Sequence, residues 1–208
     1  MRVTDIADRG LEGLSCTVRT AKAAYPLEIP SPGAYMIYPA AMAAAIGEYL
    51  GLTAEEIVRG VAAYVPTGSR MHLIRRPENR LIIDDCYNAN PVSMMASIDV
   101  LSQAKGRKIA VLGDMGELGS EEKKLHGMVG THFAGKKIDA LFVTGTLAGE
   151  IAEEARRVAP ETRVYAEPDK EALEEALLEY RRPGDTILVK ASHFMGFSEI
   201  VKKLEQPQ

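Results

Sequence analysis

Three short segments bring together residue types that can do chemistry. The first, Asp84-Asp85-Cys86-Tyr87-Asn88-Ala89-Asn90-Pro91, sets two carboxylates and two carboxamides directly before a helix start. Carboxylates accept from sugar hydroxyls and carboxamides pair with a polar ring or a phosphate. A helix N-terminus adds amide donors and a positive dipole end. Asn88 and Asn90 also suit a second task, an Asx turn and the cap of the helix that opens at Pro91. The second segment, Gly113-Asp114-Met115-Gly116-Glu117-Leu118-Gly119, carries Asp114 and Glu117 on a loop punctuated by glycine. Those acids are candidate ligands for a metal or an amine, or else they favour the positive end of the coming helix. The third, Lys190-Ala191-Ser192-His193-Phe194-Met195-Gly196, offers an ammonium, a hydroxyl and an imidazole. Lys190 leaves an apolar strand, so its charge needs an anion at the strand mouth: a substrate group, or Asp84 or Asp85 across the rim.

Other chemistries are excluded by pattern. Ser192 has no elbow motif and no acidic partner, so Ser/His/Asp catalysis is unsupported. Glycines 113, 116 and 119 do not make GxGxxG, which disfavours a dinucleotide-dependent dehydrogenase. Gly130 to Lys137 nearly spells the phosphate-binding GxxxxGK[ST], but Lys137 replaces the magnesium-binding hydroxyl and the segment continues a helix. His126, inside the same predicted helix, reads as a packed or capping residue. A net charge of −4, from 25 basic and 29 acidic residues, argues against nucleic acid or an anionic membrane as partner. No apolar run approaches the roughly 20 residues that span a bilayer, and the charged start MRVTDIADRG is no signal peptide. Cys16 and Cys86 form neither a disulfide framework nor a metal cluster, so a reducing cytosol is the expected compartment.

These loops need a scaffold that gathers them, and the hydrophobic pattern predicts one. Beyond Met71, strand and helix alternate. Strands are expected at 72–76, 81–85, 108–112, 140–144, 163–165 and 186–190. Helices are expected at 91–103, 120–133, 147–158, 169–180 and 198–204. Ile109–Leu112 and Ile187–Val189 are continuously apolar, as strands covered on both faces must be. The expected class is α/β, a doubly wound, mostly parallel Rossmann-like sheet over 67–208, with the three segments at the carboxyl ends of its strands. Residues 1–66 read as a partial α/β segment: short strands at 3–8, 14–20 and 24–29, then two helices. The first helix, about Ala40 to Leu50, has Met42, Ile46 and Leu50 on one face. The second opens with a Thr53/Glu56 capping box, carries Ile57, Val61 and Tyr64 as its stripe, and ends at Pro66.

Asp84–Pro91 (DDCYNANP), Leu112–Gly119 (LGDMGELG) and Val189–Met195 (VKASHFM) together resemble the C-terminal domain of the Mur ligases. Gly68-Ser69-Arg70-Met71 resembles that family's hinge segment, and the stretch from Pro32 to Gly47 resembles the end of its central domain. The resemblance implies an ATP-dependent amide-forming ligase of peptidoglycan synthesis. ATP would phosphorylate the carboxylate of UDP-N-acetylmuramoyl-tripeptide, and D-Ala-D-Ala would attack the acyl phosphate. It implies ATP contacts for Arg70, Asp85, Asn88 and Asn90, and catalytic roles for Lys190 and Ser192. Asp114, Glu117 and His193 would lie towards the substrates, and Mg²⁺ would be held mostly by a part of the family's fold outside this sequence. A monomer without nucleic-acid or membrane partners is expected. Tyr35 and Pro39 stand where the family has His and Asn, so adenine recognition does not carry over to that segment. Ala191 and His193 stand where Gly and Arg are usual. The sequence is thus expected to be the end of a central domain, 1–66, plus a complete C-terminal domain, 67–208, inactive alone without a P-loop. The alternative is a non-catalytic nucleotide- or partner-binding domain derived from the family.

Overall fold

The first strands of the chain pair by simple alternation. In the computed structural model, which describes residues 1–206, β1 (Arg2–Asp8), β2 (Leu14–Arg19) and β3 (Ala24–Ile29) form an antiparallel meander. Leu14, Cys16 and Val18 of β2 and Tyr25, Leu27 and Ile29 of β3 point to one face and are buried, as the period of two requires. β1 is a mostly exposed edge with a register shift between Thr4 and Ala7. Helices α1 (Ile37–Tyr49) and α2 (Ala54–Ala62) complete a compact unit that ends at Pro66. The Thr53/Glu56 capping box forms as read from sequence.

Met42, Ile46 and Leu50 share one side of α1 as read, but that side is exposed, and the core face is Ala40, Ala41, Ala44 and Gly47. Small side chains let the helix backbone lie close to the sheet, and a Cβ at Gly47 would come within 2.8 Å of Ile57 Cγ1. α2 ends at Ala62, not at Pro66, and Tyr64 beyond it is exposed. The residue before a proline avoids the α region, and here the helix stops three residues earlier still.

The second compact unit starts at Thr67. Its six-stranded sheet has the order β4-β5-β9-β6-β7-β8. The strands are β4 (His72–Arg75), β5 (Leu81–Asp84), β6 (Lys108–Leu112), β7 (Ala140–Val143), β8 (Arg163–Ala166) and β9 (Thr186–Lys190). Only the β4/β5 hairpin is antiparallel; the other four pairings are parallel. Strands β5, β7 and β9 are buried throughout, which is why they read as unbroken apolar runs. Helices α6 (Lys170–Tyr180) and α7 (Ser198–Glu205) cover one face, packing Leu173, Leu177, Phe197, Ile200 and Leu204 on Ile82, Ile109, Phe142, Ile187 and Val189. Helices α3 (Pro91–Ser102), α4 (Glu122–Thr131) and α5 (Ala148–Val158) form the other layer. This is the doubly wound α/β architecture expected from the sequence.

The strand order creates the site. The chain passes from β5 through α3 to β6 and leaves a slot that β9 fills last. Helices leave neighbouring strands on opposite faces there, so the loops after β5, β9 and β6 share one rim, the place where open α/β sheets bind ligands.

Candidate functional site

Register brings the charged pair together. Asp84 pairs with Val189 and Leu112 with Lys190, and the Asp85 amide continues the ladder by donating to Val189 O at 3.0 Å. Lys190 is only 2% exposed, yet all three ammonium protons have acceptors. Nζ donates to Asp85 Oδ2 at 2.6 Å, to Asn88 O at 3.0 Å and to Asp85 O at 3.3 Å. Of the two carboxylates that the sequence offered, Asp85 is thus the partner. Asp85 gathers two further donors: Met71 N on Oδ1 at 2.9 Å and the Ser97 hydroxyl on Oδ2 at 2.7 Å. Asp84 is turned away and accepts from the Cys86 thiol at 2.9 Å and amide at 3.3 Å. Burial, reinforced by that carboxylate, pushes the Cys86 thiol up to about 12, so it is no nucleophile.

The carboxamides divide their work. Asn90 is the N-cap of α3: its Oδ1 accepts from Ser93 N at 2.9 Å while the Ser93 hydroxyl takes the Asn90 amide at 3.1 Å. Asn88 contributes its main-chain oxygen to Lys190, and its exposed side chain folds onto the Ala89 amide.

The loop after β6 is fixed from three sides. Asp114 does not serve the helix that follows it. Its carboxylate crosses to the start of α5 and accepts from the amides of Thr146, Leu147 and Ala148 at 2.8, 3.0 and 2.7 Å, which corrects the expectation that it favours the coming helix. Those contacts are possible because Gly145 sits at φ 130° with no side chain to block the carboxylate. Ser192, buried, accepts the Gly116 amide on Oγ at 2.9 Å, and its own amide donates to Asp114 O at 3.0 Å. Buried His126 accepts the Met115 amide on Nε2 at 2.9 Å and lies 2.7 Å from Glu122 O through Nδ1, so the proton sits on Nδ1. Gly113 permits the close approach of the β6 and β9 loops, since a Cβ there would lie 2.8 Å from Ala191 Cβ. Glu117 is left at the exposed tip, in the left-handed region at φ 61°.

The outer rim is aromatic and cationic. The Arg70 guanidinium lies 4.0 Å over the ring of Tyr87, and His193 tilts against that ring at 5.8 Å between centroids. The Tyr87 amide donates to Ser69 O at 3.0 Å, which ties the 68–71 segment to the rim. Arg70, Asp85, Asn88, Lys190, Ser192 and His193 therefore share one neighbourhood, Asn90 flanks it as a cap, and Asp114 supports it from behind. Three participants escaped the sequence reading: Ser97, the Met71 amide and Tyr87. A serine on an apolar helix face and a main-chain donor leave no pattern to find. Tyr87 stood in the quoted loop without a role.

The arrangement offers acceptors for a sugar hydroxyl and cations for a phosphate. An ionised carboxylate has about four acceptor positions, and three on Asp85 are taken, so Oδ1 retains capacity at the rim. Among the described residues no group of three or more His, Cys, Asp or Glu side chains is placed to hold a metal ion. No helix among them is long and apolar enough to cross a membrane.

The doubly wound sheet gathers a buried Asp–Lys pair and an exposed arginine at its switch point, and comparison makes the class specific. Residues 69–193 match the model described as Mur ligase, glutamate ligase domain, and the chain belongs to the Mur ligase family. The UDP-N-acetylmuramoyl-tripeptide–D-alanyl-D-alanine ligase of Bacillus subtilis is 39% identical over 178 residues, covering 85% of this chain and 39% of that protein. Its counterpart in Escherichia coli is 30% identical over 197 residues, covering 93% of this chain and 42% of that protein. A crystal structure of MurF from Acinetobacter baumannii superposes with a TM-score of 0.82 at 27% identity, over 99% of this chain and 44% of that one. The chain thus spans about two fifths of the length of the relatives it matches.

Proposed function

We propose that this chain works as the C-terminal part of an ATP-dependent ligase that joins D-Ala-D-Ala to UDP-N-acetylmuramoyl-tripeptide. Residues 1–66 would be the end of its central ATP-binding domain and residues 67–208 its C-terminal domain. One observation carries the reading: the matched residues 69–193 reach all three rim loops, and those loops meet around the Asp85–Lys190 pair. In this reading Asp85 Oδ1 accepts from the ribose of ATP. Arg70, held over Tyr87 and not buried, supplies positive charge to the phosphates. Lys190 keeps the Asp85 carboxylate aimed, and Ser192 holds the Gly116 amide so that the β6 loop presents Glu117 and His193 flanks it. Positioning and charge stabilisation dominate phosphoryl transfer, and these residue types supply both. In this reading Mg²⁺ is held mostly by the remainder of the ligase.

The test is a chimera in which the part of the Bacillus subtilis ligase that precedes the matched region is joined to this chain. It should release phosphate only with ATP, UDP-N-acetylmuramoyl-tripeptide and D-Ala-D-Ala all present. The 208-residue chain alone should release none. Arg70→Ala should raise the KM for ATP about tenfold, the loss of one charge-assisted contact. Turnover by a folded chimera that ignores D-Ala-D-Ala would overturn the reading.

A further inference from the structure

The opposite rim of the second unit's sheet, at the amino ends of its strands, gathers arginines. The β4/β5 register runs one step past the Arg75–Leu81 pair, where the Arg76 amide donates to Arg80 O at 2.8 Å. Opposed residues of an antiparallel pair share a face, so Arg76 and Arg80 lie on the side where Ile74 and Ile82 pack with α6 and α7. Arg181, directly after α6, reaches the same place. Two of the three close the last turn of α7: Arg76 donates to Glu205 O, and Arg181 Nη1 donates to Leu204 O at 3.3 Å. Capping a helix C-terminus is an ordinary task for a cation. It does not account for Arg80. Arg80 is 5% exposed, its Nε is buried without an acceptor, and the buried Nε of Arg76 has none either. Among the described residues neither Arg76 nor Arg80 has an acidic partner. Arg181 is 7% exposed, and burial followed by the charge of Arg80 holds it below the ordinary arginine value. Like charges set opposite each other in a hairpin are unfavourable, and a buried charge without a counter-charge is more so.

We infer that Arg76, Arg80 and Arg181 form a second ligand site, for a small phosphate-class oxyanion, on the rim opposite the Asp85–Lys190 pair. Each guanidinium presents a planar fork of donors, and the two helix carbonyls occupy one nitrogen on each of two of them. The donors that remain come from separate chain segments and converge from different directions. That suits a tetrahedral anion, whose oxygens also point apart, better than a planar carboxylate. The net charge of −4 excludes a nucleic-acid backbone as the source of the phosphate. The inference goes beyond the ligase reading and does not depend on it, because the two rims share no residue.

The test titrates inorganic phosphate into the 208-residue chain at constant ionic strength and follows the arginine Nε–H signals by NMR. The signals of Arg76 and Arg80 should move together along one saturating curve. In calorimetry Arg80→Met should weaken phosphate binding about tenfold or more, the loss of one charge-assisted contact. The same variant should melt in chloride no lower than the wild type, because it removes a buried charge that has no partner. Arg80→Lys keeps the charge without the fork and should recover only part of the affinity. Arg70→Ala should bind phosphate as the wild type does, which separates this site from the rim around Asp85. Glycerol 3-phosphate distinguishes the sources of the anion: binding as tight as that of phosphate assigns the site to phosphate monoesters, and much weaker binding assigns it to the free ion. Signals that phosphate does not move, or that chloride moves equally, overturn the inference. So does a folded Arg80→Met chain with wild-type affinity for phosphate, and so does acetate that saturates the site at the same concentration.

Discussion

Lys190 and Asp85 show what a satisfied buried ion pair requires. Each oxygen and each ammonium proton has a partner inside the fold, so the pair positions β5, β9, α3 and the Met71 amide relative to one another. Removing one member strands the other: Lys190→Met is expected to cost about 3–5 kcal/mol in urea unfolding. A loss below about 1 kcal/mol would mean the carboxylate finds water instead. Asp114 is a cap delivered from another strand, and Asp114→Ala should cost about 1–2 kcal/mol. Asp114→Asn keeps an acceptor and should recover roughly half of that. Equal losses in the two variants would assign the effect to charge alone. Asp114 also marks the limit of reading a sequence locally. Its acidity and its place after a strand were legible, but the helix it serves starts 34 residues later and no spacing rule connects them.

Elements of the second unit were legible because both signals agree there. The central strands carry unbroken apolar runs, and Asn90 caps α3 where it was expected. α1 was legible as a helix and illegible as an oriented one. The large side chains at spacing four share a side as read, but the alanines pack on the sheet because they allow close approach, and the large residues look outward. A helix with two apolar faces gives no sequence signal for which face is which. Glu48, its one charge, couples this element to pH. Hydrogen bonds from Thr20 and Tyr25 hold its carboxyl below the ordinary glutamate value. The folded form therefore binds its proton less readily than the unfolded form. The contribution to stability is present above the ordinary range, near pH 4, and is lost as pH falls through the folded value. Glu48→Gln should remove that part of the acid dependence of the first unit; an unchanged pH profile between about 5 and 3 would contradict the assignment.

At the scale of the whole molecule, two units with very different interiors share one chain. The second has a sheet covered on both faces, and the first rests on three strands with an exposed edge and one covered face. Native-state hydrogen exchange should find β9 and β6 the most protected segments and every amide of residues 1–66 less protected than they are. Equal protection in the two units would contradict this. The two free cysteines make the same comparison available to a thiol reagent. Cys16 lies in the core of the first unit and Cys86 in that of the second, and burial raises both thiols above their ordinary value. Neither can be labelled until its own unit opens. The chain therefore carries one built-in opening clock per unit, and two labelling rates, resolved by peptide mass, would time the two halves separately without any added probe.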